Sequence, residues 1–288
     1  MCLIELEQPH EAIQILSNAL DHSGPDAELL NNLGNALQKS MQVEEAIKKF
    51  ELALGIQPDN VTVLLNISKN LLRLGQYNEA LGYLEKARKL DPTNVTIALV
   101  DTLAQRVIYK SPKEVINGRE RIETKLKEME GQSWNLVDPV STIGQTNFFL
   151  VYQGNNDKEL QTRIASLYLK SCPDLGFVAN HCKSRRSKAR ARIRIGFVSA
   201  FLGSHTIGKL FRGLIRGLDP KQFEIFIFHL GPDRRLEDQD LASLSNDVEH
   251  FVPVPPQYVQ GRQTIAQYEP DVLYYTDIGM EPLSYFLA

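Results

Sequence analysis

Three cysteines in 288 residues, odd in number and far apart (Cys2, Cys172, Cys182), cannot build a disulfide framework and point to a reducing, cytoplasmic compartment. No stretch approaches the ~20 consecutive apolar residues of a membrane span, and the N-terminus lacks the charged-then-apolar pattern of a signal peptide. A membrane partner is therefore not expected. There is no CxxC pair, and Cys172, His181 and Cys182 have no fourth ligand at a useful spacing, so no metal is expected there. No GxGxxG follows any apolar strand, which disfavours a dinucleotide dehydrogenase. An excess of either charge is lacking too: 32 basic residues stand against 35 acidic ones, a formal net charge of −3. The exception is residues 183–194, KSRRSKARARIR, with seven basic residues and no acidic one. The tract has no interleaved aromatic platform and the rest of the chain is acidic, so it reads as a solvated linker rather than a nucleic-acid site.

What is present is a repeat. The pairs Glu11-Ala12, Glu45-Ala46 and Glu79-Ala80 recur at a spacing of 34, the period of about 34 that marks tetratricopeptide hairpins. Leu30, Leu33, Gly34 and Leu37 are answered one period later by Leu64, Ile67, Ser68 and Leu71, and Ala46, Phe50, Ala53 and Pro58 by Ala80, Leu84, Ala87 and Pro92. Small residues stand where two antiparallel helices approach closely, and the prolines end each second helix. Complete repeats occupy 27–60 and 61–94, within a repeat region of 1–108. Residues 1–26 hold half a repeat, whose second helix is 9–26, and 95–108 begin a first helix that drifts off the pattern. The array is expected to be part of a longer one, because solenoids protect their ends with polar caps.

Residues 109–182 read as a helical connecting region, with stripes at Ile122, Leu126 and Met129 and at Leu160, Ile164, Leu167 and Tyr168. After the basic linker 183–192 the period changes. Strands are expected at 193–199, 223–230, 250–254 and 272–275, alternating with helices that include an apolar stripe at Ile207, Leu210, Phe211, Leu214, Ile215 and Leu218. The fold class is thus an α-helical repeat solenoid followed by a partial α/β, Rossmann-like domain over 193–288. Ligands of such sheets bind beyond the carboxyl ends of the strands, selecting the loops at 199–209, 230–233 and 276–282. Asp238-Gln-Asp240 spells DxD, but its charged helical surroundings place it on solvated surface, away from the strand ends.

Together the repeats, the segment Thr146–Asp157 (TNFFLVYQGNND), RIRIGFVSAFLGSHTIGKLFRGLI and PDVLYYTDIGMEPLSYFLA resemble the SPINDLY/O-GlcNAc transferase family in its bacterial form, over nearly the whole chain. The resemblance implies an inverting glycosyltransferase of the GT-B fold, of which 193–288 would be an incomplete N-terminal lobe. Such an enzyme moves a sugar, here N-acetylglucosamine from UDP-GlcNAc, to Ser or Thr of proteins without a metal. N-acetylglucosamine and fucose members share this lobe, and most of the nucleotide-sugar site lies in a second lobe, so residues 1–288 alone are expected to be inactive. The resemblance assigns His205 as the catalytic histidine after the first strand. Ser204, Thr206, Lys209, Asp277 and Gly279 fall in the matching motifs as substrate-binding candidates. Animal-type members have Pro-Thr-Ser-His after the first histidine, and this chain has Thr206-Ile207-Gly208-Lys209, so Lys209 replaces the second histidine. Asn32 and Asn66, one period apart, stand where the family lines its groove to hold an acceptor backbone, a task suited to primary amides that donate and accept at once. The partners implied are acceptor proteins in the groove and a nucleotide sugar; a non-catalytic repeat scaffold is the alternative.

Overall fold

The computed structural model describes residues 8–183, 190–232 and 235–288; residues 184–189 of the basic tract lie outside them. Two compact units are formed, one by the chain up to Trp134 together with Phe149–Ile164, the other by Asn135–Phe148 with Ala165–Ala288. The stretch 109–182 is divided between them. Among the described residues no helix is long and apolar enough to cross a membrane.

The first unit is helical. Helices α1 (Pro9–Ser23), α2 (Ala27–Lys39), α3 (Val43–Ile56), α4 (Val61–Arg73), α5 (Tyr77–Leu90) and α6 (Val95–Leu103) follow one another through short turns. The repeat positions are its core: Leu30, Leu33, Leu37, Ala46, Phe50 and Ala53, and their counterparts Leu64, Ile67, Leu71, Ala80, Leu84 and Ala87, are all buried. The expected half repeat is α1, whose Ala12, Ile13 and Leu16 pack on Ala36 of α2. After α6 comes α7 (Pro112–Glu130), and its stripe Ile122, Leu126 and Met129 is buried. Asp101 of α6 binds α7 through Arg121 and through Lys125 at 2.9 Å.

Two local rules also repeat at 34 residues. Asp26, Asn60 and Asn94 each cap a first helix by accepting backbone N–H bonds, from Leu29 at 2.9 Å, Val63 at 3.2 Å and Thr96 at 3.1 Å respectively. Between the helices of each hairpin the backbone turns through positive φ, at Gly75 in one repeat and at Met41, φ 65°, in the other. Glycine tolerates that conformation, whereas a side chain there costs about 1–2 kcal/mol. The close helix approach is filled differently in the two repeats. A Cβ on Gly34 would lie 2.5 Å from the Phe50 ring, whereas the equivalent pair is Ser68 and Leu84, a larger residue on the first helix matched by a smaller one on the second.

The second unit is built on a parallel four-stranded sheet of order β3-β2-β1-β4, with β1 (Ile193–Ser199), β2 (Phe223–Leu230), β3 (His250–Val254) and β4 (Val272–Tyr275). Crossover helices α10 (Thr206–Gly217), α11 (Gln239–Asp247) and α12 (Tyr258–Gln267) join them, the short α8 (Pro139–Ile143) precedes them, α9 (Lys158–Ser171) is shared between the two units, and α13 (Pro282–Leu287) follows β4. Strand alternation sorts the two faces. Phe197, Ile225 and Ile227 pack with Ile215 of α10 and with Leu241 and Leu244 of α11. Phe226 and Phe228 lie on the opposite face, where both meet Tyr268 edge-on at the end of α12. Gly196 leaves room there for the Phe228 ring. On β4 the side chains of Val272, Leu273 and Tyr274 remain exposed, although their composition is that of a buried strand.

Two glycine exchanges of opposite sign test the hairpin geometry. Gly34→Ala should lower the stability of the repeat unit by about 1–3 kcal/mol in denaturant titration, despite alanine's better helix propensity, because the Phe50 ring must move. Met41→Gly should raise it by about 0.5–1 kcal/mol, since relief of the left-handed strain exceeds the entropy glycine adds to the unfolded chain. A stable Gly34→Ala variant, or a destabilised Met41→Gly variant, would contradict this account.

Candidate functional site

In a sheet of this order the chain winds one way through β1, β2 and β3 and then returns to place β4 on the other side of β1. The crossovers diverge there, and a crevice opens beyond the carboxyl ends of β1 and β4. A cleft of about 390 Å³ lies at this end of the sheet, lined by Ala200, Phe201, Ser204, His205, His229, Asp238 and Glu281 among others.

The segment after β1 builds one wall. The backbone amide of Ala200 donates to Asp277 Oδ2 at 3.0 Å, and Phe201 N–H donates to Ser199 Oγ at 3.0 Å. Gly208 is required because a Cβ there would overlap the carbonyls of Leu202 and Gly203, so this loop folds tightly over the first turn of α10. His205 is itself the N-cap of α10. Its Nδ1 accepts the Ile207 N–H at 3.2 Å, while its ring lies 4.7 Å from that of Phe201. Ser204, the residue before His205, takes no part in this cap: its hydroxyl donates to Asp238 Oδ1 at 2.9 Å, with Asp240 Oδ2 at 3.2 Å. With Nδ1 occupied as an acceptor, the neutral imidazole carries its proton on Nε2, and His205 is a hydrogen-bond donor.

The DxD segment corrects the sequence reading. Asp238 is the N-cap of α11 rather than part of a solvated helix away from the strand ends. Its Oδ2 accepts the Ser204 N–H at 2.7 Å, and its Oδ1 accepts the Ser204 hydroxyl at 2.9 Å and the N–H groups of Asp240 and Leu241, each at 3.0 Å. Asp240 pairs with Arg212 of α10. Burial alone would raise the Asp238 carboxyl, but the bonds from Ser204, Leu241 and Asp240 outweigh it and hold it below the ordinary range. The carboxylate is thus committed to N–H and O–H donors. The signal missed in the sequence was an ordinary one, an aspartate immediately before a helix.

Beyond β4 the chain turns at Asp277-Ile278-Gly279-Met280, closed by Met280 N–H donating to the Asp277 carbonyl at 3.0 Å with Gly279 at φ 85°. Thr146 Oγ donates to the Gly279 carbonyl, Phe148 packs beside Gly279, and Asn147 Nδ2 donates to Tyr285 Oη at 3.0 Å. The TNF segment and the DIGM turn, distant in sequence, therefore meet. Asp277 is only 2% exposed. Burial pushes its carboxyl above the usual range, and bonds from the Ala200 amide and Ser199 hydroxyl offset this only in part. Glu281 caps α13 through the N–H groups of Leu283 and Ser284, both at 2.7 Å, and burial and the nearby Asp277 charge raise it as well. Of the candidates named from the sequence, Ser204 and His205 line the cleft and Asp277 and Gly279 frame the turn behind it, while Thr206 and Lys209 are exposed on α10. Glu281 and His229 line it without having been singled out.

In the repeat unit, Asn66 lies in a ladder of amides. Its Nδ2 donates to Asn31 Oδ1 at 3.0 Å and to Asn35 Oδ1 at 3.2 Å, and Asn70 Nδ2 donates to Gln38 Oε1 at 2.7 Å. The ladder runs through Asn31, the neighbour of Asn32, and through Asn35. Among the described residues no group of three or more His, Cys, Asp or Glu side chains is placed to hold a metal ion.

Residues 25–93 match the tetratricopeptide repeat family model. No curated protein matches the sequence. Among solved structures, a mutant of the Thermobaculum terrenum O-GlcNAc transferase is similar over 97% of this chain and 45% of its own, with TM-score 0.58 and 17% identity. The chain therefore spans less than half the length of that transferase, and at this identity the likeness is one of fold. A double mutant of MamA RS-1 (21% identity, 57% of this chain, 88% of that one, TM-score 0.40) and MamA MSR-1 (17% identity, 58% and 79%, TM-score 0.37) are too distant in shape to carry an argument. The architecture is thus tetratricopeptide-like repeats followed by a small parallel sheet, as in an O-GlcNAc transferase structure.

The raised carboxyl of Asp277 gives stability a definite pH dependence. An acid whose folded pKa exceeds its unfolded value favours folding most at low pH, and that contribution is lost as pH rises through the folded pKa. Asp277→Asn keeps an oxygen for the Ala200 amide and removes the buried charge. Its melting temperature should exceed that of the unsubstituted protein at pH 8, and the gap should narrow as pH falls toward the ordinary carboxylate range. A gap independent of pH would remove the electrostatic explanation.

Proposed function

We propose that this chain is the N-terminal part of a protein O-glycosyltransferase of the SPINDLY/O-GlcNAc transferase type. The sheet unit is part of a GT-B catalytic lobe, and the sugar is N-acetylglucosamine taken from UDP-GlcNAc. The observation that carries the reading is the match in architecture over nearly the whole chain, repeats followed by a parallel sheet, to a protein whose own activity is O-GlcNAc transfer. The cleft adds chemical support. It offers an Nε2–H donor at His205, an apolar ring face at Phe201 and an acceptor at Glu281, a combination suited to the hydroxyls and ring face of a sugar. With Nδ1 engaged by the helix, His205 serves by donating to an oxygen of the substrate; taking a proton at Nε2 would first require release of the cap.

The repeats hold the acceptor protein. Asn66 directs both N–H groups of its amide toward Asn31 and Asn35, which leaves its carbonyl oxygen as the group it offers to a peptide N–H. Asn32, outside those bonds, can present a whole amide.

The test uses the intact gene product. Transfer of labelled N-acetylglucosamine from UDP-GlcNAc to protein Ser or Thr is expected, and His205→Ala should reduce turnover by about a hundredfold or more, while the folded state loses only one helix cap, about 0.5–2 kcal/mol. Asn32→Ala should instead weaken acceptor-peptide binding by about two- to tenfold with helicity unchanged. Peptide binding with no transfer of any sugar would leave a repeat scaffold, and near-normal turnover in His205→Ala would remove the histidine from the site.

A further inference from the structure

Asp238 and His205 belong to different crossovers, and one backbone segment joins them. Residues 202–204 run between the first turn of α10 and the N-terminus of α11. On the α10 side the segment rests on Gly208, where any Cβ would strike the Leu202 and Gly203 carbonyls. On the α11 side it meets the Asp238 carboxylate so closely that a Cβ on Gly203 would overlap Oδ2. Asp238 binds both the N–H and the hydroxyl of Ser204, at 2.7 and 2.9 Å. The next residue is His205, whose N–H donates to the Gly203 carbonyl at 2.7 Å and whose Nδ1 accepts the Ile207 N–H. The backbone that aims the imidazole is therefore held by Asp238 immediately before the ring and by the helix immediately after it.

We infer that Asp238 is a positioning residue for His205: by clamping Ser204 to the N-terminus of α11 it keeps His205 in the capping geometry that fixes its tautomer and presents Nε2–H to the cleft. The inference rests on the reading of His205 as a functional group of this cleft. One carboxylate thereby links two helix N-termini, capping α11 through Asp240 and Leu241 and holding the residue that caps α10. The neighbouring Arg212–Asp240 pair ties the same two helices, and Asp240 meets Ser204 only through its hydroxyl, so Asp240→Asn, which weakens the ion pair but keeps an oxygen for that hydroxyl, supplies a control that separates helix docking from histidine positioning.

The experiment is heteronuclear NMR of the imidazole nitrogens of the whole chain labelled with ¹⁵N, with His205→Gln assigning the signal and thermal melting confirming the fold of each variant. The unsubstituted protein should show His205 in a single Nε2–H tautomer with a hydrogen-bonded Nδ1. In Asp238→Ala the signal should become a mixture of tautomers, and the Ile207 amide should exchange with solvent about five- to tenfold faster, as expected for a lost hydrogen bond. Gly203→Ala, which removes no hydrogen-bonding group but forces the loop off the carboxylate, should do the same. Asp238→Asn, which retains an acceptor for the Ser204 N–H, should be intermediate, and Asp240→Asn should leave the tautomer unchanged. If Asp238→Ala fails to fold, Gly203→Ala and Asp238→Asn decide the question. An unaltered His205 tautomer and Ile207 protection in the folded variants overturns the inference, as does an equal effect from Asp240→Asn. Neither readout depends on sugar transfer, so failure here is distinct from failure of the proposed activity.

Discussion

Leaving a parallel sheet and starting a helix within seven residues exposes backbone N–H groups that have no partner in either element. Between Ser199 and His205 that problem is met by carboxylates from two other parts of the second unit. Asp277, beyond β4, accepts the Ala200 N–H, and Asp238, ahead of α11, accepts the Ser204 N–H. The rest of the cleft follows from these two bonds. The first ties the end of β1 to the turn after β4, so the floor of the crevice is closed where the winding direction changes. The second sets the distance between α10 and α11 and with it the orientation of His205. Without them the loop would have to find water for its amides, and a buried unsatisfied N–H costs roughly 1–3 kcal/mol.

Much of this architecture was readable from residue spacing. The 34-residue period located the matched core positions of the two complete repeats, all of them buried, because each is occupied by a residue whose size the hairpin geometry dictates; Ala36, Val43, Ile47, Val63 and Tyr77 are buried as well and were not singled out. All four strands were visible as apolar runs between polar turns, and their alternation with helices implied a parallel sheet. Order within the sheet is a different kind of fact. The pairing of β1 with both β2 and β4 depends on contacts between residues far apart in sequence, and nothing local in Val272–Tyr275 says which strand it will join.

The site was legible where a residue's role is local and hidden where it is relational. His205 could be placed at the start of a helix beyond a strand, but which of its nitrogens faces the cleft depends on the Ile207 amide. The charged surroundings of Asp238 read as solvated surface in the sequence. Its true partner, Ser204, is 34 positions earlier in the chain. The groove tells the same story. Asn32 and Asn66 are related by the repeat, but the hydrogen bonds actually formed run from Asn66 to Asn31 and Asn35, because adjacent first helices meet along a line that does not follow the period. Met41 is the converse case. Its counterpart is Gly75, and the period alone would have flagged a left-handed turn at a non-glycine residue.

The two carboxylates that hold the loop are in opposite electrostatic states, and the difference assigns them different work. Asp238 receives four hydrogen bonds from Ser204 and its own helix, and its carboxyl is held below the usual range. It remains charged through the physiological range and acts as a fixed anchor. Asp277 is more deeply buried and its carboxyl is pushed upward, with Glu281 raised nearby by burial and by the Asp277 charge. The Asp277 charge disfavours ionisation of Glu281, so a strongly hydrogen-bonding ligand entering beside Glu281 would be stabilised by relieving that repulsion. The wall of the cleft formed by α10 and α11 is therefore rigid and charge-satisfied, while the wall behind β4 holds unrelieved negative charge. The sequence builds these two walls from an aspartate that caps a helix and an aspartate that follows a strand.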